Sequence, residues 1–170
     1  FRSALLSCTT GTVTATIDGN VAELDDLQAN GTSSTQALTI TVDNTGSVLQ
    51  GYKIARATTG SVTYTTGISD VHANIQSSGS QTSNMSSITT KDSDVALTIT
   101  NAVSASIGKS IIGFTTGTVD FTGGVEDTFA NLVDGTAVSS NMQSIDARDS
   151  NVNITVSDSI ANRSEEHTSE

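Results

Sequence analysis

Apolar and polar residues alternate over several short segments of the chain. The clearest are 38–42, 95–99 and 152–156, where Leu, Ile or Val occupies nearly every second position. Such alternation, rich in β-branched residues, is typical of a half-buried strand. Three further alternating stretches, at 12–17, 61–65 and 118–122, each follow a Thr-Thr-Gly triplet. All six segments are therefore predicted to be strands.

Helical spacing follows two of the Thr-Thr-Gly strands. A helix over 68–75 would place Ile68, Val71 and Ile75 on one face, and 125–132 repeats this spacing with Val, Phe and Leu. Polar residues near the start of each segment suit a helix N-terminus, where they cap or complement the dipole. We therefore predict a helix directly after each of these strands.

Two other kinds of helix are predicted further along. A weaker helical turn has sparse apolar anchors at Met85 and Ile88, and again within 142–145. Longer helices, with Val48, Tyr52 and Ala55 or Ile107 and Ile111 facing inward, lead to the next Thr-Thr-Gly. The glycine of that triplet is predicted to adopt the left-handed conformation that ends a helix.

The chain repeats itself with a period of 57 residues, which is the distance in sequence from Leu38 to Val95. The same offset aligns, without gaps, Val95 with Val152, Thr58-Thr59-Gly60 with Thr115-Thr116-Gly117, Ile88 with Ile145, and Asp92 with Asp149. The first copy is shorter, and we place its missing residues between Gly19 and Ala37. The predicted division is 1–8 as the cut end of a preceding repeat, 9–57 as a short repeat, 58–114 as a full repeat and 115–162 as an incomplete one.

The final residues, 163–170, are predicted not to belong to the protein. They read RSEEHTSE, which is the translation of the start of a widely used DNA-sequencing adapter. We therefore expect an artefactual tail and a parent chain that continues past Asn162. Without this tail, His72 is the remaining histidine.

The predicted fold class is α/β. A unit of strand, helix, strand and helix cannot bury its apolar face alone, whereas stacked copies bury a continuous one. Strands joined by helical crossovers are expected to be parallel. We predict an elongated repeat solenoid with short parallel strands and helical crossovers. The alternative is a mostly-β solenoid in which the helical segments are loops, because Ser, Thr and Gly form helices weakly.

Composition and charge narrow the functional classes. The chain has 28 Thr, 25 Ser and 14 Gly, and aromatic residues make up 4%, which disfavours an ordinary enzyme core. Its 18 acidic residues against 7 basic ones give a net charge of −11, which would repel the phosphates of a nucleic acid. No apolar run approaches the length needed to cross a bilayer, so membrane insertion is not expected.

The order of motifs resembles a known kind of repeat array. Thr-Thr-Gly-x-Val is followed by Ser-Asp-x-x-Ala-Asn-Ile or Glu-Asp-Thr-Phe-Ala-Asn-Leu, then by Leu-Thr-Ile-Thr-Val-Asp and a Ser-Val-x-Gln helix. Over 9–162 this is similar to the arrays in very large secreted or cell-surface proteins of marine bacteria, cyanobacteria especially. The resemblance implies an extracellular or cell-surface location. The Gly-Gly-x-Gly-x-Asp calcium signature that often accompanies such arrays is missing at 123–127.

Carboxylates are the candidate metal ligands. Asp92, Asp94 and Asp149 precede alternating strands in successive copies, and Asp158 follows one. In a stacked array, equal positions align into columns, and Ca²⁺ prefers oxygen ligands. These four residues are therefore candidate calcium ligands, and calcium is the cofactor that they would hold. The interpretation that we favour is that Asp and Asn begin and end strands because they hydrogen-bond locally in turns.

Further polar residues accompany these carboxylates. Asn44 and Asn101 follow the strands at the position of Asp158. Lys91 and Arg148 stand beside the first aspartate of each column, and we predict that they form solvated surface charge pairs, which are individually weak.

No catalytic constellation is found. His72 aligns with Thr128 rather than with another histidine, and Cys8 has no second cysteine to pair with. Sugar-stacking aromatic residues are too few for a glycosidase groove. We therefore predict no catalytic or cofactor-binding residue and no enzymatic activity.

The expected function follows from this form. We expect a structural repeat segment, a spacer or stalk, of a large extracellular or cell-surface bacterial protein, whose partners are neighbouring repeats of the same chain. The alternative is an adhesin-type module that binds calcium, surface polysaccharide or a cell surface through many weak contacts.

Overall fold

A computed structural model describes residues 12–25, 27 and 36–158 of the chain. Its helices are α1 (Val21–Asp25), α2 (Val48–Arg56), α3 (His72–Ile75), α4 (Ser83–Lys91), α5 (Ala105–Ile111), α6 (Phe129–Leu132) and α7 (Ser140–Asp146). Its strands are β1 (Thr14–Gly19), β2 (Ala37–Val42), β3 (Val62–Tyr64), β4 (Ile68–Asp70), β5 (Gln76–Ser77), β6 (Ser80–Gln81), β7 (Leu97–Ile99), β8 (Val119–Asp120), β9 (Val125–Asp127), β10 (Val133–Asp134), β11 (Ala137–Val138) and β12 (Ile154–Val156).

The parallel strands pair in chain order. β2 lies between β1 and β3, β7 lies between β4 and β8, and β9 pairs with β12. Single parallel bridges, Gly46 with Ile68 and Val103 with Val125, connect these three sheets. The extended segments are termed rows 1 to 6 below: 14–19, 37–46, 62–70, 97–103, 119–127 and 154–156.

These elements confirm the α/β class, with several short parallel strands and helices. In the described part of the chain β1 and β12 do not pair with each other, so the strands close no barrel. Along the chain, helices connect one row to the next. They pack on one another: α1 on α2, α2 on α4, and α5 on α7. Inward residues from rows and helices form a single hydrophobic cluster. Leu38, Ile40 and Val42 are fully buried there, as the alternation predicts.

The two long helices predicted before Thr-Thr-Gly are confirmed as α2 and α5. Ser47 caps α2 by accepting the Gln50 amide, and the Gln50 side chain accepts from the Ser47 amide in return. Ser104 caps α5 in the same way, through the amide of Ile107. Each cap satisfies amides that a helix N-terminus otherwise leaves unpaired.

The helix predicted over 68–75 is wrong in its first half. Residues Ile68–Asp70 form β4, and α3 begins only at His72. Ile68 pairs with Leu97 in the neighbouring row, so a ladder of hydrogen bonds overrides the helical spacing. Val71, predicted to point inward, is exposed. The segment 125–132 divides in the same way, into β9 and α6.

The weak helical turn around Met85 is in fact a full helix, α4, of 9 residues. Its N-terminus is set by Thr82, whose hydroxyl accepts the Met85 amide. A two-stranded antiparallel hairpin, β5 and β6, precedes it and was not predicted. The hairpin turns through Ser78 and Gly79, both with positive φ, which alternation of apolar residues does not signal.

The glycine of Thr-Thr-Gly does not take the left-handed conformation that we predicted. Gly60 and Gly117 have no positive φ. A Cβ on Gly60 would lie 2.2 Å from the carbonyl oxygen of Leu38, and one on Gly117 would lie 2.0 Å from that of Asp94. The triplet therefore needs glycine because it passes directly against the backbone of the preceding row.

The shorter first copy is missing residues in two places. In the parallel pairing Ile17 lies opposite Ile40, whereas Ile68 lies opposite Leu97, which is a longer step along the chain. Fewer residues therefore separate row 1 from its partner row than separate row 3 from its partner row. The remaining absent residues correspond to the turn at 65–67. β1 is one continuous strand, whereas the equivalent part of the next copy is divided by this turn into β3 and β4. The repeat boundaries stay a prediction, and the segments 1–8 and 163–170 lie outside the described residues.

Candidate functional site: side chains that join neighbouring rows

Asp92 and Asp149 hydrogen-bond to the backbone of the row before them. Asp92 Oδ2 accepts the amide of Tyr64 at 2.7 Å, and Asp149 Oδ2 accepts the amide of Phe121 at 2.8 Å. Both aspartates are only 8% exposed. Each carboxylate thus accepts a backbone amide that would otherwise bond to a carbonyl of a neighbouring strand, at a point before the strand of its own row begins.

The polar residues that follow the strands make an equivalent bond at a helix start. Each accepts the amide of the first residue in the helix that follows the preceding row. The three bonds join Asn44 to Val21 (2.7 Å), Asn101 to His72 (2.8 Å) and Asp158 to Phe129 (2.8 Å). An amide at this helix position has no partner within its own helix, so a neighbouring row supplies the cap.

Two more aspartates do the same and were missed by the sequence reasoning. Asp70 accepts the amide of Val48, the first residue of α2, and Asp127 accepts that of Ala105, the first residue of α5, both at 3.0 Å. Each also accepts from an asparagine side chain in the helix that follows it. The Asp-x-x-x-Asn spacing that both copies share was the available signal.

These bonds share one direction. In every case a side-chain oxygen in, or beside, one row binds an amide in the row, or the helix, that precedes it in sequence. Such bonds are termed inter-row ties below. The seven aspartate and asparagine acceptors are Asn44, Asp70, Asp92, Asn101, Asp127, Asp149 and Asp158, and Gln36 and Thr58 accept the amides of Val13 and Leu38 in the same direction.

The basic residues also bind backbone, rather than forming the predicted charge pairs. Lys91 Nζ donates to the carbonyl of Gly60 at 2.8 Å. The Arg148 guanidinium donates to the carbonyls of Thr115, at 3.0 Å, and Gly117. Both cations therefore reach the Thr-Thr-Gly segment of the preceding row. Within the described ranges the ion pair is elsewhere, between Lys53 of α2 and Asp25 of α1.

Burial and hydrogen bonding shift the pKa values of three groups. Burial raises the pKa of Asp92, and the carboxylate of Asp94 raises it further, against the lowering effect of the Tyr64 amide. Burial, with the nearby charge of Asp92, also raises the pKa of Tyr64, whose hydroxyl donates to the carbonyl of Gly51 at 2.6 Å. For Asp127, burial acts to raise the pKa, but the hydrogen bonds that it accepts outweigh this effect and lower it.

The four candidate calcium ligands are not gathered in one place. Asp92 and Asp94 are close enough to interact, while Asp149 and Asp158 bind amides of Phe121 and Phe129. Among the residues that the structure describes, no group of three or more His, Cys, Asp or Glu side chains is placed to hold a metal ion. Calcium binding at these aspartates therefore stays a prediction.

The described chain has two other features of a kind that can mark a site, a buried unpartnered imidazole nitrogen and an open groove. The Nδ1 atom of His72 is buried without a hydrogen-bond partner. An open groove of about 260 Å³ between α2 and α4 contains Arg56 and Lys91. Arg56 donates to the Tyr52 hydroxyl and lies 5.3 Å from the centre of its ring, and Lys91 is bound to Gly60. Neither feature brings together groups that could perform a reaction.

Comparison with protein-family models, with curated proteins and with solved structures finds no match to this chain. In the part of the chain that the structure describes, every helix is too short or too polar to cross a membrane.

Proposed function

We propose that this chain is a structural repeat segment, a spacer or stalk, of a large extracellular or cell-surface protein. The observation that carries the proposal is the use of the inter-row ties. Polar side chains that could recognise a ligand are instead hydrogen-bonded to backbone amides of the neighbouring row. The five aspartates and two asparagines that bond in this way would join successive units.

We further propose that the rows stack as an elongated solenoid. Two observations support this: the strands pair in chain order, and the seven aspartate and asparagine ties all run from a later row to an earlier one. Each row then contacts only its neighbours, so units can be added without altering those already present. A stalk needs that property because its length must be adjustable while its width stays constant.

The surface composition is consistent with a spacer. A net charge of −11 with abundant Ser and Thr favours solubility and disfavours association of stalks side by side. An extracellular or cell-surface setting suits such a surface, and a single cysteine requires no intrachain disulfide.

The direct test is to lengthen the array. One or two extra copies of 58–114 would be inserted after residue 114, and the particles measured by small-angle X-ray scattering. Each copy adds two rows, which lengthens the particle by about 10 Å at the spacing of paired strands. The radius of the cross-section should not change.

The matched control carries a Gly/Ser segment of equal length at the same position, which should add flexible chain rather than length of constant cross-section. Growth of the cross-section, or unfolding of the lengthened chain, would contradict the solenoid. A glycan array separates the spacer from the adhesin-type module. We expect no saturable binding from the spacer, and tight saturable binding would favour the adhesin.

A further inference from the structure

The hairpin of β10 and β11 carries an Asp-Gly pair, Asp134-Gly135, at its turn. Two residue pairs join the strands, and Gly135 and Thr136 form the loop between them. Gly135 has a φ of 62°, and a Cβ built on it would meet no atom within 4 Å. Residues 134–138 are all exposed. The Asp-Gly pair therefore lies at an open tip, where the backbone has room to change conformation.

This exposure does not depend on where the described chain ends. The equivalent hairpin of the preceding copy, β5 and β6, has the following helix in place, since a Cβ built on Gly79 would lie 3.8 Å from the hydroxyl oxygen of Ser110 in α5. Residues 77–80 are nevertheless all exposed. A following repeat thus leaves the tip of such a hairpin open to water.

The two groups that can react in this pair are both unengaged. Among the described residues, the Gly135 amide donates no hydrogen bond, and the Asp134 carboxylate accepts none and forms no ion pair. Glycine also has no Cβ to restrict the backbone rotation that brings its nitrogen toward the preceding side chain. The Gly135 nitrogen can therefore approach the carboxyl carbon of Asp134.

We propose that Asp134-Gly135 is a site of spontaneous covalent modification, at which Asp134 converts to isoaspartate with water as the only co-reactant. The Gly135 nitrogen forms a bond to Cγ of Asp134, and the carboxyl hydroxyl leaves with the amide hydrogen as water, which closes a cyclic imide. Water then adds to either imide carbonyl. Cleavage of the bond from nitrogen to Cγ restores aspartate, whereas cleavage of the bond from nitrogen to the main-chain carbonyl leaves the chain running through Cβ and Cγ.

The modification should change the hairpin and little else. Isoaspartate keeps the negative charge but adds one carbon to the main chain of β10, so the register of the two residue pairs is lost. The base of the hairpin is held separately, since the Ser139 amide donates to the Leu132 carbonyl at 2.9 Å and the Gln143 side chain donates to the Val138 carbonyl at 2.7 Å. We therefore expect the inter-row ties to remain intact.

Asp18-Gly19 is the matched control within the same chain. Both residues belong to β1, which pairs with β2 at six positions, and Gly19 is buried. The Gly19 carbonyl accepts the Asp43 amide at 3.0 Å. The Gly19 nitrogen can reach the Asp18 carboxyl only after this ladder opens, and paired strands open at a higher free energy than exposed loops. The folded chain should therefore modify Asp134 and protect Asp18.

The test incubates the folded full chain in water that carries heavy oxygen, and maps isoaspartate and label by mass spectrometry of its peptides with electron-transfer fragmentation. We expect both to accumulate at Asp134 at least about tenfold faster than at Asp18. In denaturing urea the two sites should react at similar rates, because the difference arises from the structure. Asp134→Ser copies Ser77 of the preceding hairpin and should abolish labelling at this position.

Two results would overturn the inference. One is a rate at Asp18 that equals or exceeds the rate at Asp134 in the folded chain. The other is protection of both sites until urea is added, which would show that the hairpin holds Asp134-Gly135 away from the reactive conformation. The inference does not rest on the proposed function, and neither result bears on whether lengthened chains grow at constant cross-section.

Discussion

The segments 58–114 and 115–158 have the same order of elements and the same aspartate contacts between rows, but their hairpins differ in sequence. Asp70 and Asp127 each cap the helix that follows the preceding row, through equivalent atoms. Asp92 and Asp149 bind equivalent amides. The hairpins between these positions diverge, with two glutamines in the first where two valines stand in the second. The aspartates that accept these amides are therefore the same in both segments, whereas the hairpin side chains differ.

The largest loss of stability is expected at Gly117, where the backbone of the Thr-Thr-Gly segment touches the backbone at Asp94. In Gly117→Ala the new Cβ would lie 2.0 Å from the Asp94 carbonyl oxygen, so one backbone must move. We expect the free energy of unfolding to fall by about 3 kcal/mol, the upper range for overpacking. Gly113→Ala is the control, because its Cβ meets only the Ser110 oxygen, at 3.3 Å, and we expect a change within about 0.5 kcal/mol. Chemical denaturation of both variants decides between them, and equal losses would exclude a special role for close approach.

The next effect concerns a single inter-row tie. Asp149→Ala leaves the Phe121 amide without its acceptor, which should cost about 2 kcal/mol of unfolding free energy. Asp149→Asn keeps an oxygen acceptor and should lose less than half as much. Asp43→Ala serves as the control, because the Asp43 side chain is exposed and, like Asp149, lies in a connection between a strand and a helix. Thermal melts of the three variants check the order, and a loss in Asp149→Ala no greater than that in Asp43→Ala would contradict it.

A smaller effect tests a buried position at which the two segments differ in hydrogen bonding. Tyr64 donates to Gly51, while the equivalent residue, Phe121, has no hydroxyl. Tyr64→Phe should cost about 1 kcal/mol, the net value of one neutral hydrogen bond. The reciprocal Phe121→Tyr should be tolerated, since Gly108 occupies the position of Gly51. Urea denaturation of both would be inconsistent with this view if Phe121→Tyr were the more damaging change.

The smallest effects are expected from pH. The folded pKa of Asp92 is raised, chiefly by burial, so the folded state binds a proton more readily than the unfolded state. Stability contributed by this group therefore increases as pH falls from neutral toward the ordinary aspartate value. The pKa of Asp127 is lowered, so its contribution is present above that value and is lost as pH falls below it.

Two variants separate these opposite trends. Asp92→Asn should flatten the rise of the melting temperature on mild acidification, and Asp127→Asn should reduce the loss in strong acid. Both asparagines retain an oxygen that can accept the same amide. Melting curves recorded across the acid range test this, and an unchanged profile in both variants would show that other groups set the pH dependence.

The strands and the two long helices could be predicted because local pattern and tertiary contact agree there. Leu38, Ile40 and Val42 alternate and are buried, and Ser47 precedes a helix that it caps. Prediction failed where a partner from another row decides the outcome. Ile68 has helical spacing to Ile75, but its pairing with Leu97 makes it a strand residue.

The sequence predicted which aspartates are of interest but not which groups they contact. The sequence singled out Asp92, Asp149 and Asp158, and the preferred interpretation was local hydrogen bonding in turns. The structure shows that the amides they accept lie 28 or 29 residues earlier, in the preceding row or its helix. Sequence spacing alone does not reveal the register of neighbouring rows, so neither these partners nor the role of Asp70 could be deduced.

The measurement that tests the central claim most directly is a thermal melt with millimolar calcium and then with a chelator. It would compare the wild type with the double variant Asp92→Asn/Asp149→Asn. If these carboxylates serve as inter-row ties, both proteins should be folded and neither melting temperature should depend on calcium. A calcium-dependent rise of several degrees in the wild type that is lost in the double variant would contradict the claim, because it would show that the aspartates bind the ion in the folded state.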